Sequence, residues 1–459
     1  MRSSHKARAV SVRFDDPNLV SHAGLVPVMR LAEHASVPDL VDELLTLDST
    51  AGSNAGAKVA SIVAGMVAGA DSIEDLDVIR HGGLSRLFTG MRAPSTLGTF
   101  LRDFTIGHNA QLEKVLAQTL ARLRRLTPLL PEIDTLAFLD VDSKVTPVYG
   151  RQKEGAKYGY TGVRGLNFLG ATLSSPVSTP VITGTRLRGG NADTRKHATS
   201  FVTTNLARAR TAGGATGKLL VRMDSGYYVG EILQAVVDEG AWFSVTAQQN
   251  ASIQKTIASI PDTAWQKITY TTPVYDEDTE EWVHTAQIAE ITYTAFTNAT
   301  DNGQFITARL IVRRTPKTTS TNTAELFPVY RYQAVFTNSP FDTATVDTHH
   351  RARAGTIEQV FGDLNNSALA HFPSGRFTAN AAWLTLTALT HNLLRAAGCL
   401  TSTFHTKART TTLRRQLINI AARITRSARK TVLHLPTNWP WADSYTHLFS
   451  TTHAPPTPA

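Results

Sequence analysis

Two apolar segments that each end in an aspartate constrain the fold of this chain most strongly. Residues 136–142 read LAFLDVD, and residues 219–224 read LLVRMD. A carboxylate at the end of an apolar strand is unfavourable unless a cation or a hydrogen-bond donor compensates it. Because binding sites collect at the carboxyl ends of strands in α/β sheets, Asp142 and Asp224 predict a site at one sheet edge.

The surrounding pattern predicts an α/β core with additions at both ends and in the middle. Strand-like runs at 166–173, 180–186 and 241–246 alternate with helical spacing at 197–212 and 229–237, which is typical of an α/β domain. Helical spacing also dominates 25–130, whereas 253–340 is rich in Thr, Tyr, Val and Ile with period-two alternation. We expect five regions: a helical N-terminal DNA-binding or dimerisation region (1–130), the first part of the core (131–250), an all-β insertion domain (251–342), the second part of the core (343–400), and a basic C-terminal region and tail (401–459) in which 405–430 is helical.

Composition excludes several classes of protein. Of 459 residues, 42% are hydrophobic and 18% are charged, which excludes a wholly disordered chain. No apolar run reaches 18 residues, so a transmembrane helix is not expected. Basic residues near the start precede no apolar segment, so we expect no signal peptide. Cys399 is the single cysteine, which excludes an internal disulfide and a cysteine zinc site and indicates a reducing cytosol.

The net charge of +9 is concentrated near the C-terminus. No acidic residue lies between Asp363 and Asp443, while that stretch holds ten lysines and arginines. Positive charges this concentrated repel one another unless a polyanion lies against them. The charge distribution therefore favours nucleic acid as the partner. The alternative is a solvated basic face beside an acidic surface elsewhere in the protein.

A short helix near residue 95 has two possible roles. Ser95 follows a proline and is a good N-cap, and the helix would present Thr96, Thr99 and Arg102 on its polar side. A short helix after a tight turn in a basic protein is compatible with a DNA-recognition helix. One more packing helix in a bundle is the alternative.

The strand-end aspartates are candidates for a shared metal site. Hard divalent cations require several oxygen ligands, so bridging two ions requires a third acid. Glu358 is the candidate, because it lies where helical periodicity resumes after the β-rich segment. Either aspartate could instead cap a helix or a turn.

The residues around these acids resemble a known family. Five blocks carry the resemblance, in order: LDVDSKVTPVYGRQKEGAKYGYTGVRG (139–165), RLRGGNADT (186–194), LLVRMDSGYY (219–228), RARAGTIEQVFGDLNN (351–366) and FPSGRFTANAAWLTLTALTHNLLR (372–395). Together they resemble the DDE transposases of bacterial insertion sequences, most closely the group called IS-thirteen-eighty. The resemblance covers most of the chain.

The resemblance implies an RNase H-like catalytic core interrupted by a β insertion before the final glutamate. It implies a triad of Asp142, Asp224 and Glu358 that binds two Mg²⁺ or Mn²⁺ ions, with Asp140 as a supporting residue beside the ligands. Asp140 and Asp142 lie two residues apart and face the same way on a strand; Asp142 is preferred because it opens the Asp-Ser block. The implied chemistry is hydrolysis that frees a 3′-OH at the element end, followed by attack of that 3′-OH on target DNA.

The glutamate block departs from a pattern common among insertion-sequence transposases, Tyr-x2-Arg-x3-Glu-x6-Lys. His350 and Arg353 hold the Tyr-x2-Arg spacing, but four residues separate Arg353 from Glu358, and Asn365 occupies the lysine position. Arg353 is the best candidate for a phosphate clamp.

Further residues are expected to contact DNA. A basic loop with aromatics could follow a DNA backbone and stack on an unpaired base, or form a structural Gly-Tyr turn. The expected contacts are Arg151, Lys153, Lys157, Tyr158, Tyr160 and Arg164 in this loop, Arg351, Arg353 and Arg376 near the glutamate block, and Arg414, Arg415 and Arg423 in the C-terminal region.

The predicted function is therefore a DNA transposase that cuts its own insertion-sequence ends and transfers them to target DNA. The expected partners are double-stranded DNA, comprising terminal inverted repeats and target, and a second copy of the chain, because two ends must be held together. The expected location is the bacterial cytoplasm, in association with the nucleoid, without membrane contact. The alternative is a DNA-binding protein of the same ancestry that no longer cuts; a structural or RNA-binding protein has only the basic charge in its favour.

Overall fold

A computed structural model of the chain describes residues 4–6, 9–47, 52–150, 152–159, 161–276, 281–297, 305–316, 330–428 and 430–454. The helices are α1 (Leu25–His34), α2 (Val37–Leu44), α3 (Ala55–Ala68), α4 (Leu84–Leu87), α5 (Pro94–Arg102), α6 (Ile106–Leu126), α7 (Ala198–Thr211), α8 (Gly230–Asp238), α9 (Ala251–Ala258), α10 (Thr343–Asn365), α11 (Phe377–Cys399), α12 (Thr403–Lys407), α13 (Thr410–Leu413) and α14 (Ala442–His453). None of these described helices combines the length and the apolar character needed to cross a lipid bilayer.

The strands are β1 (Leu19–Val20), β2 (Leu136–Pro147), β3 (Lys157–Tyr158), β4 (Arg164–Ser174), β5 (Val181–Gly189), β6 (Lys218–Met223), β7 (Trp242–Thr246), β8 (Gln266–Asp276), β9 (Glu281–Ala295), β10 (Ile306–Pro316), β11 (Tyr330–Thr337), β12 (Ala422–Ser427) and β13 (Lys430–His434). The predicted mixture of strands and helices is confirmed.

One large sheet organises the core. Its order is β3-β4-β2-β6-β7-β11-β10-β9-β8, and β5 also pairs with β4. The β2 strand is antiparallel to β4 but parallel to β6, and β6 is parallel to β7. Residues 137–141 of β2 and 219–223 of β6 are buried on both faces, as expected for central strands covered by helices.

The β-rich segment does not form a separate all-β domain. It begins with helix α9, and its last strand, β11, pairs antiparallel with β7 through Phe336 opposite Val245. Strands β8 to β11 therefore extend the core sheet. The predicted strands are present, and they continue the core sheet because β11 pairs with β7.

Helix α11 lies at the centre of the molecule. Its residues 379–398 are buried except Ala381, and it packs against α3, α6 and β5. A helix that is buried around its circumference belongs to the interior of a large core. It joins the N-terminal helices to the sheet.

Two local predictions need correction. Helix α5 begins at Pro94 with Ala93 as its N-cap, so Ser95 lies in the first turn and does not cap it; proline suits that position because it has no N–H to satisfy. Segment 405–430 is not one helix: two short helices and a π turn at 414–418 lead into the hairpin β12–β13. The alternation in Arg-Ile-Thr-Arg-Ser at 423–427 suits a strand with one buried face, and Ile424 is 5% exposed.

Candidate active site

Strands β2 and β6 bring two acids side by side: Asp142 lies within β2, where it pairs with Gly170 of β4, and Asp224 directly follows β6. Val141 of β2 lies opposite Met223 of the parallel strand β6, so Asp142 and Asp224 follow side by side. The backbone turns sharply after Asp224, where the carboxylate accepts a hydrogen bond from Gly226 N at 2.9 Å. Asp142 accepts one from Ser143 N at 2.7 Å. The two aspartates are therefore neighbours, but the expectation that the first strand ends at Asp142 is wrong, because pairing with β4 extends β2 to Pro147.

The two carboxylates interact electrostatically. Burial raises the pKa of Asp224 above its ordinary value, the negative charge of Asp142 raises it further, and Arg353 opposes both effects. Two like charges that share a partly buried site disfavour each other's ionisation. The site therefore favours additional positive charge.

Arg353 of helix α10 supplies positive charge to this site. Its Nη1 donates to Oδ2 of Asp142 at 2.9 Å, and the two side chains are only 12% and 15% exposed. Burial acts to lower the pKa of Arg353, but the charges of Asp142 and Asp224 outweigh it and raise the pKa above its ordinary value. The residue predicted as a phosphate clamp is thus a permanent cation bound to the first predicted metal ligand.

Glu358 lies on the same helix but on a different part of the site. It is exposed, and its charge acts on Lys144 of β2. Burial lowers the pKa of Lys144, while Glu358 and Asp142 act to raise it. Lys144 therefore interacts electrostatically with both Asp142 and Glu358. Among the residues that the structure describes, no three acidic, histidine or cysteine side chains gather closely enough to hold a metal ion.

Asp140 is committed to a different partner. Its carboxylate is fully buried and accepts two hydrogen bonds from Arg222 of β6, at 2.6 and 2.7 Å. Arg222 also donates to the His349 carbonyl oxygen at 2.7 Å and lies over the Phe138 ring, 4.2 Å from its centroid. This pair joins β2, β6 and α10 directly beneath the site, and it leaves Asp142 as the available aspartate of β2.

His350 is a neutral structural residue in this setting. Its ring nitrogens lie 2.9 Å from Ser244 Oγ and 2.9 Å from Thr246 Oγ1 of β7. Burial, aided by nearby arginines, lowers its pKa to about 3. The histidine at the tyrosine position of the common motif therefore fixes α10 to β7.

Sequence reasoning missed Lys144 and Arg222. Lys144 lies two residues after Asp142, so period-two alternation along β2 places it on the same face. Arg222 is a charged residue inside the apolar run 219–223, a position that requires a buried partner. Both signals were present in the sequence, although neither identifies the partner.

The predicted basic loop is partly described. Arg151 and Tyr160 lie outside the described residues. Lys153 donates from Nζ to the Phe372 carbonyl oxygen, and Arg164 donates to the Gly150 carbonyl oxygen at 2.7 Å. Lys157 and Tyr158 form the exposed strand β3, and Tyr158 is 69% exposed.

The arginines predicted to contact DNA near the glutamate block interact with other residues of the protein. Arg351 pairs with Asp347 at 3.6 Å and lies 4.1 Å from the centroid of the Tyr270 ring. Arg376 is exposed and donates to the Arg102 carbonyl oxygen at 3.1 Å.

The three arginines predicted to bind DNA in the C-terminal region occupy different environments. Arg415 is exposed, and Arg423 is exposed and pairs with Asp16 at 3.4 Å. Arg414 is 8% exposed and donates to the carbonyl oxygens of Met66 and Val67 at the end of α3. This placement is at odds with a phosphate contact by Arg414, because its donors already satisfy the last carbonyls of a buried helix.

Comparison with known proteins identifies a family. The family model described as "Transposase DDE domain group 1" matches residues 2–455. No curated protein matches the chain. Among solved structures, the chain is similar to "Cryo-EM structure of piggyBac transposase synaptic complex with hairpin DNA", with a TM-score of 0.41 and 10% identity, over 87% of this chain and 79% of that chain. At that TM-score the likeness carries no further argument.

Proposed function

The chain belongs to the DDE transposases, and on that premise we propose that it cuts the ends of its own insertion sequence and joins them to target DNA. The proposed triad is Asp142, Asp224 and Glu358. The proposed origin is a bacterial insertion sequence of the IS-thirteen-eighty group.

One observation carries this proposal. Asp142 of β2 lies beside Asp224, which follows the neighbouring parallel strand β6, and burial together with the charge of Asp142 raises the pKa of Asp224. Strands β5, β4 and β2 are antiparallel neighbours, and β6 and β7 then continue in parallel from β2. This order supports an RNase H-like core, with Asp142 within the central strand β2 and Asp224 directly after β6.

The residues at this edge fit divalent cations in their donor chemistry. Carboxylate oxygens are the ligands that Mg²⁺ and Mn²⁺ prefer, and burial together with the charge of Asp142 raises the pKa of Asp224, an effect that a bound cation would oppose. Asp142, Asp224 and Glu358 would hold the ions. When bound, two ions supply an activated water and stabilise the leaving 3′ oxygen.

The protein's own cations prepare the site. Arg353 stays charged at all working pH values and neutralises Asp142. Lys144 links Glu358 electrostatically to the same strand. A scissile phosphate brings negative charge that Arg353 can bind with its remaining N–H groups. We therefore assign Arg353 to phosphate positioning, with Asp142 as its partner in the DNA-free protein.

The proposed DNA-binding surface combines basic and aromatic residues of the loop after β2, of the glutamate block and of the C-terminal region. Phosphate contacts give affinity without sequence reading, whereas aromatic side chains can stack on unpaired bases. We assign this role to Arg151, Lys153, Lys157, Tyr158, Tyr160, Arg164, Arg351, Arg376, Arg415 and Arg423, and we leave out the buried Arg414. Because two element ends must be joined, we propose that the active form is a homodimer that works at the nucleoid in the cytoplasm.

A second function has an observation in its favour. Arg353 occupies Asp142, and in the described part of the chain no third acid joins Asp142 and Asp224. A DNA-binding protein that no longer cuts would tolerate that arrangement. The test must therefore separate binding from cleavage.

The experiment is cleavage of a labelled duplex that carries the element's own ends, with Mg²⁺ or Mn²⁺. Asp142→Ala, Asp224→Ala and Glu358→Ala are run beside the wild type, with Asp262→Ala as a matched exposed carboxylate outside the site. We expect metal-dependent 3′-OH ends from the wild type and Asp262→Ala alone. Specific binding by the wild type without cleavage would instead establish the non-cutting protein.

A further inference from the structure

The N-terminal segment 10–14 has the pattern of a strand that lacks a sheet. It reads Val-Ser-Val-Arg-Phe, and in an extended chain Val10, Val12 and Phe14 share one face. These side chains are 52%, 79% and 104% exposed. Within the described residues, 10–14 belong to no helix and no strand. Three large apolar side chains on one face, all in water, indicate a surface that a partner covers.

The residues that follow hold the segment at the edge of a small sheet. Asn18 accepts a hydrogen bond from Ile424 N at 2.9 Å, and Asp16 pairs with Arg423 at 3.4 Å. Leu19 then begins β1, which pairs with β12 in the three-stranded sheet β1-β12-β13. The segment therefore leaves the protein from a fixed point on β12.

The opposite edge of the same sheet offers a matching acceptor. Strand β13 is the outermost described strand there, and an outermost strand presents unpaired N–H and C=O groups. Val432 on this strand is 43% exposed. Beside it lies a cleft of about 500 Å³, whose apolar lining includes Val26, Leu87, Val432, Leu433, Tyr445 and Phe449.

We propose that residues 10–14 of one copy add as an antiparallel strand to β13 of a second copy, with their apolar face in this cleft. With Val12 opposite Leu433, the apolar side chains of residues 10, 12 and 14 lie on the same face as Thr431, Leu433 and Leu435, which line the cleft. The same register places Asp15 opposite Lys430, so opposite charges meet at the end of the ladder. Because each copy has both the donor segment and the acceptor edge, the exchange is reciprocal and closes as a twofold dimer.

The geometry favours a second copy over the chain's own edge. Strands β1 and β13 lie on opposite sides of β12, about 10 Å apart at the usual strand spacing. The contacts of Asp16 and Asn18 hold the chain on the β1 side. Residues 10–14 thus start from the far side of the sheet from the chain's own β13.

The role of this interface in joining two DNA ends rests on the proposed function. Its existence is measured on the protein alone, without DNA or metal. A dimer that fails to cleave DNA would contradict the proposed function but not the interface. Cleavage by a chain that stays monomeric without DNA would contradict the interface but not the proposed function.

The first measurement is sedimentation of the full chain over a concentration series. We expect the wild type to dimerise below about 100 µM, and Val12→Asp to weaken dimerisation at least about tenfold, because a carboxylate is buried in an apolar cleft. Ser11→Asp is the matched control on the opposite face of the segment and should dimerise like the wild type. A monomeric wild type, or equal effects of the two substitutions, would overturn the proposal.

The second measurement identifies the contact. In a Cys399→Ala background, a chain with Val12→Cys is mixed with a chain with Leu433→Cys and oxidised. Directly opposed strand residues have Cα separations compatible with a disulfide, so we expect a disulfide between the two chains. Ser11→Cys should cross-link far less. A chain carrying both substitutions that forms only an internal disulfide would show that the segment folds onto its own β13, and no cross-link would refute the contact.

Discussion

Arg353 donates a hydrogen bond to Asp142 at 2.9 Å across 211 residues of sequence, and both side chains are largely buried. This pair joins the helix that carries Glu358 to the strand that carries the first aspartate. The negative charge of the DNA-free site is therefore already partly neutralised by the guanidinium of Arg353.

Removing this guanidinium should change the affinity of the site for metal ions. Arg353→Ala leaves Asp142 without its counter-charge, so we expect Mn²⁺ to bind about tenfold more tightly, a change equivalent to about 1.4 kcal/mol. Arg353→Lys keeps the charge and should stay near the wild type. Titration calorimetry measures the change, and equal affinities for all three proteins would show that Arg353 does not compete with the ion.

The raised pKa of Asp224 predicts a pH-dependent stability. Because the folded state binds this proton more tightly than the unfolded chain, ionised Asp224 disfavours folding above its folded pKa, and the effect vanishes below its ordinary pKa of 3.8. Asp224→Asn should therefore raise the melting temperature at neutral pH and lose that advantage as the pH falls towards 3.8. Calorimetric melting across pH checks this. A constant difference between the two proteins would contradict it.

The buried pair of Asp140 and Arg222 should stabilise the fold strongly. Asp140→Asn leaves an uncompensated buried charge, and we expect a loss of about 3–5 kcal/mol in the free energy of unfolding. The exposed pair of Arg30 and Glu33 is the matched control, since Glu33→Gln should change stability by less than about 1 kcal/mol. Urea unfolding measures both changes, and similar values would contradict the role assigned to Asp140.

His350 should make the protein less stable in acid. Its pKa falls from 6.5 to about 3 on folding, so the unfolded chain takes up a proton between these values and stability is lost as the pH falls below 6.5. His350→Gln should reduce the slope of stability against pH in that window by about 1.4 kcal/mol per pH unit. The exposed His447 is the control. An unchanged slope in His350→Gln would show that His350 is already charged in the folded protein.

Substitution of an exposed C-terminal arginine should change DNA affinity, whereas substitution of the buried Arg414 should change stability. Removing the exposed Arg415 or Arg423 should lower the slope of log affinity against log salt by about 0.9 for each phosphate that the protein no longer neutralises. Arg414→Ala should instead destabilise the protein, because it removes the donors to Met66 and Val67. Fluorescence anisotropy at several salt concentrations and thermal melting distinguish these effects. A reduced salt slope in a stable Arg414→Ala protein would restore its predicted role in binding DNA.

Much of the secondary structure follows from local pattern. The buried strands that end beside Asp142 and Asp224, the helices of 25–126 and the strands of the β-rich segment all have periodicities that local spacing predicts. The prediction of a helix over 405–430 is wrong because the many arginines and threonines of this segment suit either a polar helix face or the outer face of a hairpin. Pairing with β1, some 400 residues earlier in the chain, decides between the two.

The sequence by itself determined that this is an α/β protein in which an aspartate ends each of two buried apolar runs, because burial and alternation are local properties of the chain. Only the tertiary structure decided which charges meet. It placed Arg353 on Asp142, Arg222 on Asp140 and Arg414 against α3, and it joined β11 to β7. The physical reason is that a charged residue specifies its need for a counter-charge but not the identity of its partner, which depends on contacts between residues as far apart as Asp16 and Arg423.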